Sequence, residues 1–153
     1  MTNKPPTKMT PDKCQDLFNR ACAAGDAAVT ELIASNGVAP MVVSQHANPL
    51  DDNSPVTQRY FVADGPCGFA WVILKPGNSS FAKWAVAQRK SGKSGGKANK
   101  AVLLPDGPTY GGGVRFWVSG FNQSMQKKET YAAAFAGVLH ASGLNAYSDS
   151  RMD

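Results

Sequence analysis

Gly68-Phe69-Ala70-Trp71-Val72-Ile73-Leu74 is apolar along its whole length. A strand built from it shows apolar side chains on both faces, which suits the middle of a sheet, since a half-exposed strand alternates polar with apolar residues. Turn formers bound it, with Asp64-Gly65-Pro66-Cys67 in front and Pro76-Gly77-Asn78 behind. Val56 to Ala63 reads as another strand, and the short spacer predicts that the two pair as a hairpin.

Working outward, Thr10-Pro11-Asp12 is a helix start: a capping hydroxyl, a proline tolerated in the first turn, and an early acid. The helix is expected to run to about Ala24 with Leu17, Phe18, Ala21 and Cys22 on one face. Gly25-Asp26 then predicts a stop, and a second helix ends at Asn36-Gly37, which makes an N-terminal helical hairpin. Met41 to Ser44 is a short strand, and His46 to Pro55 is a loop rich in Asn, Asp and Pro. Beyond the central strand, Asn78 is expected to cap a helix with Phe81, Trp84 and Ala85 inward. Val102 to Leu104 and Val114 to Val118 read as strands. Asn122 to Ser142 reads as the clearest helix, with Tyr131, Phe135, Val138 and Leu139 on one face, and Asn145 to Ser148 as a last strand. The expected fold is α+β, a mostly antiparallel sheet with helices packed on one face. Residues 1–10 are expected to be a flexible arm and 11–153 a single domain.

The net charge of +5 is concentrated. From Gly65 to Pro105 there is no acid, whereas Lys75, Lys83, Arg89, Lys90, Lys93, Lys97 and Lys100 are all cationic. Residues 89–100 are mostly Gly, Ser and Lys, too polar to pack, and are expected to form a mobile basic loop. Such a surface attracts phosphate-bearing partners, although lysine-rich solvated loops are also common in proteins that bind nothing. Cys14, Cys22 and Cys67 are an odd count, which points to free thiols in a reducing compartment. Met1 to Thr10 holds no apolar core of an export signal, and no stretch is long and apolar enough for a membrane span.

Signals for catalysis are weak. Gly92-Lys93-Ser94 has the end of a phosphate-binding loop, but Ala87 stands where the required glycine belongs and a helix precedes it. His46 and His140 lack Cys or His neighbours at ligand spacing, so no metal is expected, and His140 fits the last turn of its helix. Cys67 in a tight turn is either a small filler or a nucleophile for a small enzyme that uses Cys67 or His140. Asp51-Asp52 and Asp149 with Asp153 read as turn and tail residues, with Arg151 neutralising the latter pair.

The aromatic strands carry more. Period-two geometry puts Phe69 and Trp71 on one face of their strand, and Arg115 and Trp117 on one face of theirs. If the two faces coincide, they form a stacking platform with an adjacent cation. Gly68-Phe69-Ala70-Trp71-Val72 resembles the longer signature of the RNA-recognition-motif family, and Phe116-Trp117-Val118-Ser119-Gly120-Phe121 resembles its shorter one. Cys67 stands at the usual basic position, Trp71 replaces Phe or Tyr, and the two signatures come in reversed order. Over longer stretches, residues 65–76, 112–139 and the ending Ser150-Arg151-Met152-Asp153 are similar to small uncharacterised proteins of tailed bacteriophages. That resemblance implies a bacterial host cytoplasm, or the virion, and transfers no activity.

The expected function is binding without catalysis or cofactor. The favoured ligand is RNA or single-stranded DNA, with Phe69, Trp71, Arg115 and Trp117 stacking and Lys90, Lys93, Lys97 and Lys100 on phosphates. The alternative is a phage interaction or virion structural protein that meets a protein partner or itself.

Overall fold

The computed structural model describes residues 8–92 and 101–153. Helix α1 (Pro11–Ala34) leads into a two-stranded ribbon, β1 (Met41–His46) and β2 (Val56–Val62). Then follow β3 (Gly68–Lys75), α2 (Ser80–Lys90), β4 (Val102–Leu103), β5 (Val114–Val118), α3 (Met125–Ala141) and β6 (Asn145–Met152). The fold is α+β, and every strand pairing is antiparallel.

The main sheet has the order β4-β5-β3-β6, so the strands joined by α3 lie on either side of β3. From β3 onward the chain runs strand, helix, strand, strand, helix, strand, the connectivity of a split β-α-β unit. β3 and β5, its first and third strands, sit side by side in the middle. The central position expected for residues 68–74 is therefore observed.

Among the described residues, helices cover only one face of that sheet. Ala70, Val72 and Leu74 of β3 and Val114, Phe116 and Val118 of β5 are fully buried against Phe18, Phe81, Tyr131 and Phe135 of the three helices. The intervening residues of β3 are only half-buried. The apolar character of its second face is thus not explained by helix packing.

Two local expectations are corrected. The first concerns α1, one continuous helix of 24 residues where a helical hairpin was expected. Gly25 lies inside it, and a Cβ there would sit 2.6 Å from Tyr131 Cδ2 and Cε2 on α3. The glycine serves a close helix crossing and no turn. Alanine is the better helix former by about 1 kcal/mol, but overpacking a rigid core costs about 1–3 kcal/mol. Tyr131 is fully buried and has little room to give, so Gly25→Ala should lower the thermal midpoint; a rise would show that the ring relaxes.

The second concerns β2, which pairs with β1 across the 47–55 loop and not with β3. Asp64, in the expected hairpin turn, is held elsewhere: its backbone carbonyl accepts from Ser124 Oγ at 2.9 Å and its carboxylate meets Lys127 Nζ at 2.8 Å. Those bonds turn the chain out of β2 before β3 begins. Thr10 does cap α1, accepting from the Lys13 amide, and Met9 packs against the core and donates its amide to Ser80 Oγ. Residues 1–7 of the expected flexible arm lie outside the described residues.

Candidate functional site

In antiparallel pairing, directly opposed residues share a face. Trp71 is opposite Trp117, Ile73 is opposite Arg115, and Leu103 of β4 is opposite Trp117. On the other side, Phe69, Trp71 and Ile73 face Arg151, Asp149 and Tyr147 of β6. All of these project from the face that no helix covers among the described residues.

They form one continuous run of contacts, in which the two tryptophans are stacked and Phe69 is tilted against Trp117. The Trp71 and Trp117 rings lie 5.6 Å apart and 3° from parallel, and Phe69 meets the Trp117 ring at 5.4 Å. The Arg115 guanidinium lies 4.9 Å from the centre of Trp71, and the Arg151 guanidinium 5.8 Å from that of Phe69. The contacts run in the order Arg151, Phe69, Trp117, Trp71, Arg115, from β6 and then back and forth between β3 and β5. Phe69, Trp71, Arg115 and Trp117, chosen from sequence, do come together.

Arg151 and Lys128 were not anticipated as site residues. The buried Lys128 points its Nζ at the Gly68 carbonyl, 3.4 Å away, and 5.6 Å from the centre of Phe69. Gly68 itself is closely packed: a Cβ there would lie 2.5 Å from Met125 Sδ and 2.7 Å from the Arg151 carbonyl oxygen. One further detail bears on ligand chemistry: Trp71 Nε1 is buried without a hydrogen-bond partner. An indole N–H removed from water without an acceptor costs about 1–3 kcal/mol.

The lysines fare differently. Lys90 is exposed in the last turn of α2, a helix whose Phe81 packs on Phe116 from the covered side of the sheet. It therefore does not join the platform, and the expected loop begins later than residue 89 because α2 extends through Lys90. Arg89, in the same turn, donates to the Leu104 carbonyl at 2.7 Å. Lys93, Lys97 and Lys100 lie outside the described residues.

The proposed nucleophile and base are far apart. Cys67 forms a β-bridge with Ser124, just before α3, and His140 lies in the last turn of that helix. The helix between them is about 24 Å long at the standard rise. His46 sits in the ribbon with Nδ1 2.9 Å from the Ser54 carbonyl. Among the described residues no three His, Cys, Asp or Glu side chains gather as metal ligands, and no helix is long and apolar enough to cross a membrane. The larger cleft, about 650 Å³, lies on the helical side beside Met9, Cys14, Lys83 and Trp84, away from the aromatic stack.

The thiols give a sharp contrast. Cys67 is exposed, whereas Cys14 and Cys22 are buried. Burial pushes both buried thiols up, Cys22 to about 11 despite a hydrogen bond from Tyr131 that opposes the shift. The native protein should therefore lose one thiol rapidly to a disulfide reagent near neutral pH, and all three in denaturant. Protection of the buried pair should be about a hundredfold or more. Linkage fixes the pH effect of Cys22. Below its ordinary value of 9.0 both states hold the proton; between there and about 11 the unfolded chain ionises first and stability falls. Fast loss of two or three thiols would refute the packing of α1.

No protein-family model matches the chain, and comparisons with curated proteins and with solved structures found no match.

Proposed function

We propose that the protein binds single-stranded nucleic acid, without catalysis, on the open face of the β4-β5-β3-β6 sheet. The observation that carries this reading is the run of three contacting rings on the two central strands, with Arg115 of β5 against one end and Arg151 of β6 against the other. Flat rings offer bases a sequence-tolerant surface, and flanking guanidinium groups suit phosphates. The resemblance to the RNA-recognition motif adds to it. That family stacks two or three bases on aromatic side chains of a four-stranded sheet, and here the aromatic residues occupy the first and third strands of a split β-α-β unit. By the resemblance to phage proteins, the setting is the host cytoplasm or the virion.

The guanidinium groups now cover the ring faces at the two ends of the stack, so a base must displace one. A cation–π contact at an exposed site contributes about 0.5–1 kcal/mol, whereas base stacking contributes about 1–3 kcal/mol. Exchange favours the base, and the released Arg115 or Arg151 is free to pair with a phosphate. An acceptor on the ligand would also satisfy the orphan indole N–H of Trp71.

The test is fluorescence anisotropy with labelled RNA and DNA oligomers at low and at moderate salt. Salt-sensitive binding at micromolar concentration or tighter is expected, and no binding at low salt would sink the proposal. The contribution of Lys93, Lys97 and Lys100 reads out in the same experiment: each lost phosphate contact should flatten the salt slope by about 0.7 for a single strand. Lys90→Ala should leave the slope unchanged.

A further inference from the structure

The β1–β2 ribbon stands apart from the core and, in the half nearer its root, carries apolar pairs on both faces. Register places Val42 opposite Phe61 on one face and Val43 opposite Tyr60 on the other. Their exposures are 58% and 69%, and 42% and 47%, so neither face is covered among the described residues. A free two-stranded hairpin is marginally stable in water, and exposed apolar pairs on both of its faces are the character of a surface that meets a partner.

Its root is nevertheless firmly held. Gln126, in the first turn of α3, accepts from the Ala39 amide at 2.8 Å and donates to the Gly37 carbonyl at 2.7 Å. The returning leg is tied by the two bonds from Ser124 and Lys127 to Asp64. Gly65 completes the anchorage: its φ is +73°, and a Cβ there would lie 2.6 Å from the Ala39 carbonyl oxygen. The tip is ordered too, by Asn48 and Asp51 side chains that accept from the Leu50 and Asn53 amides. It presents Leu50, 96% exposed, beside Asp51 and Asp52.

An anchored finger with an apolar and acidic tip has a complement on the same molecule. The open sheet face combines apolar rings with Lys75, Arg115 and Arg151, and among its paired residues in β3, β5 and β6 the acid is Asp149. We propose that the protein dimerises by exchanging fingers, each tip seated on the open sheet face of a second copy, with Leu50 on the rings and Asp51 and Asp52 toward the arginines. Two such contacts related by a two-fold axis close the assembly and leave no further site to propagate. The dimer stands independently of nucleic-acid binding; where both occur they compete for one face.

Sedimentation velocity of the full chain across the micromolar range tests this. The wild-type protein is expected to shift from monomer to dimer with concentration. The double variant Leu50→Ser, Asp52→Lys should dimerise at least about tenfold more weakly, since it removes an exposed anchor and reverses one charge. Both changes are in an exposed loop, and an unchanged circular dichroism spectrum will show that the fold persists. A wild-type monomer throughout the range, or a tip variant that dimerises like wild type, overturns the proposal. Anisotropy of the tip variant separates the two readings: its oligonucleotide affinity should equal or exceed that of wild type even where its dimer is lost.

Discussion

Trp117→Ala is expected to weaken oligonucleotide binding more than alanine at any other platform position, by about 1–3 kcal/mol, or roughly 5- to 150-fold. Trp117 lies at the centre of the stack, in contact with Phe69 on one side and Trp71 on the other. Its removal takes away one stacking surface and leaves two neighbouring rings without the partner that orients them. Trp71→Ala should follow closely, and the double variant should lose less than the sum of the two, because the rings act as one array. Trp117→Phe keeps a flat ring and should recover most of the affinity. Anisotropy at fixed low salt measures all four. Affinities within twofold of wild type for both single alanine variants would refute stacking on this face. Because these side chains project away from the helices, circular dichroism should report an unchanged fold in each.

Part of this platform was readable in the residues themselves. Period-two spacing places Phe69 with Trp71 and Arg115 with Trp117 whatever the surroundings, and only the pairing of β3 with β5 had to be supplied by the fold. Arg151 was missed because β6 was expected to end at Ser148. It runs to Met152, and register then sets Arg151 opposite Phe69, where it contacts a ring instead of neutralising two acids. Lys128 was invisible for another reason: a lysine near the start of a helix reads as a solvated residue, and only the fold brings its Nζ to the Gly68 carbonyl, sixty residues earlier.

The errors in the fold have a common origin. Gly25-Asp26 carries the local signature of a helix stop, yet a glycine chosen for a long-range contact with Tyr131 looks the same in sequence. The spacer 64–67 has the length of a hairpin turn, but its bonds to α3 outweigh that preference and β2 returns to β1. The C-terminal helix began late because Phe121 and Asn122 both adopt positive φ, which leaves Ser124 as the cap. In each case residues distant in the chain decided what a local pattern left open.

Phe18→Ala is expected to be the most damaging change to stability, about 3–5 kcal/mol, the usual cost of emptying a phenylalanine site in a packed core. The size of the effect follows from where α1 sits. The split β-α-β unit needs only α2 and α3 to cover its sheet, so α1 could be taken for an appendage. Phe18 shows otherwise: it is fully buried and its ring lies 5.8 Å from Trp84 of α2, 6.4 Å from Phe116 of β5 and 5.9 Å from Phe135 of α3. One side chain joins all three other parts of the core, and alanine would leave a void bordered by rings held in place by their own neighbours. For a domain of this size the thermal midpoint should fall by about 6–20 °C. Denaturant unfolding should show a lower midpoint with an unchanged slope, since the surface exposed on unfolding is nearly the same. A midpoint shift no larger than that of Trp117→Ala would mean that α1 docks loosely and that the helical layer closes without it. The contrast between the two variants is therefore the decisive comparison: stability resides on the covered side of the sheet, in rings packed against helices, and the open side is left free to exchange its cations for a ligand.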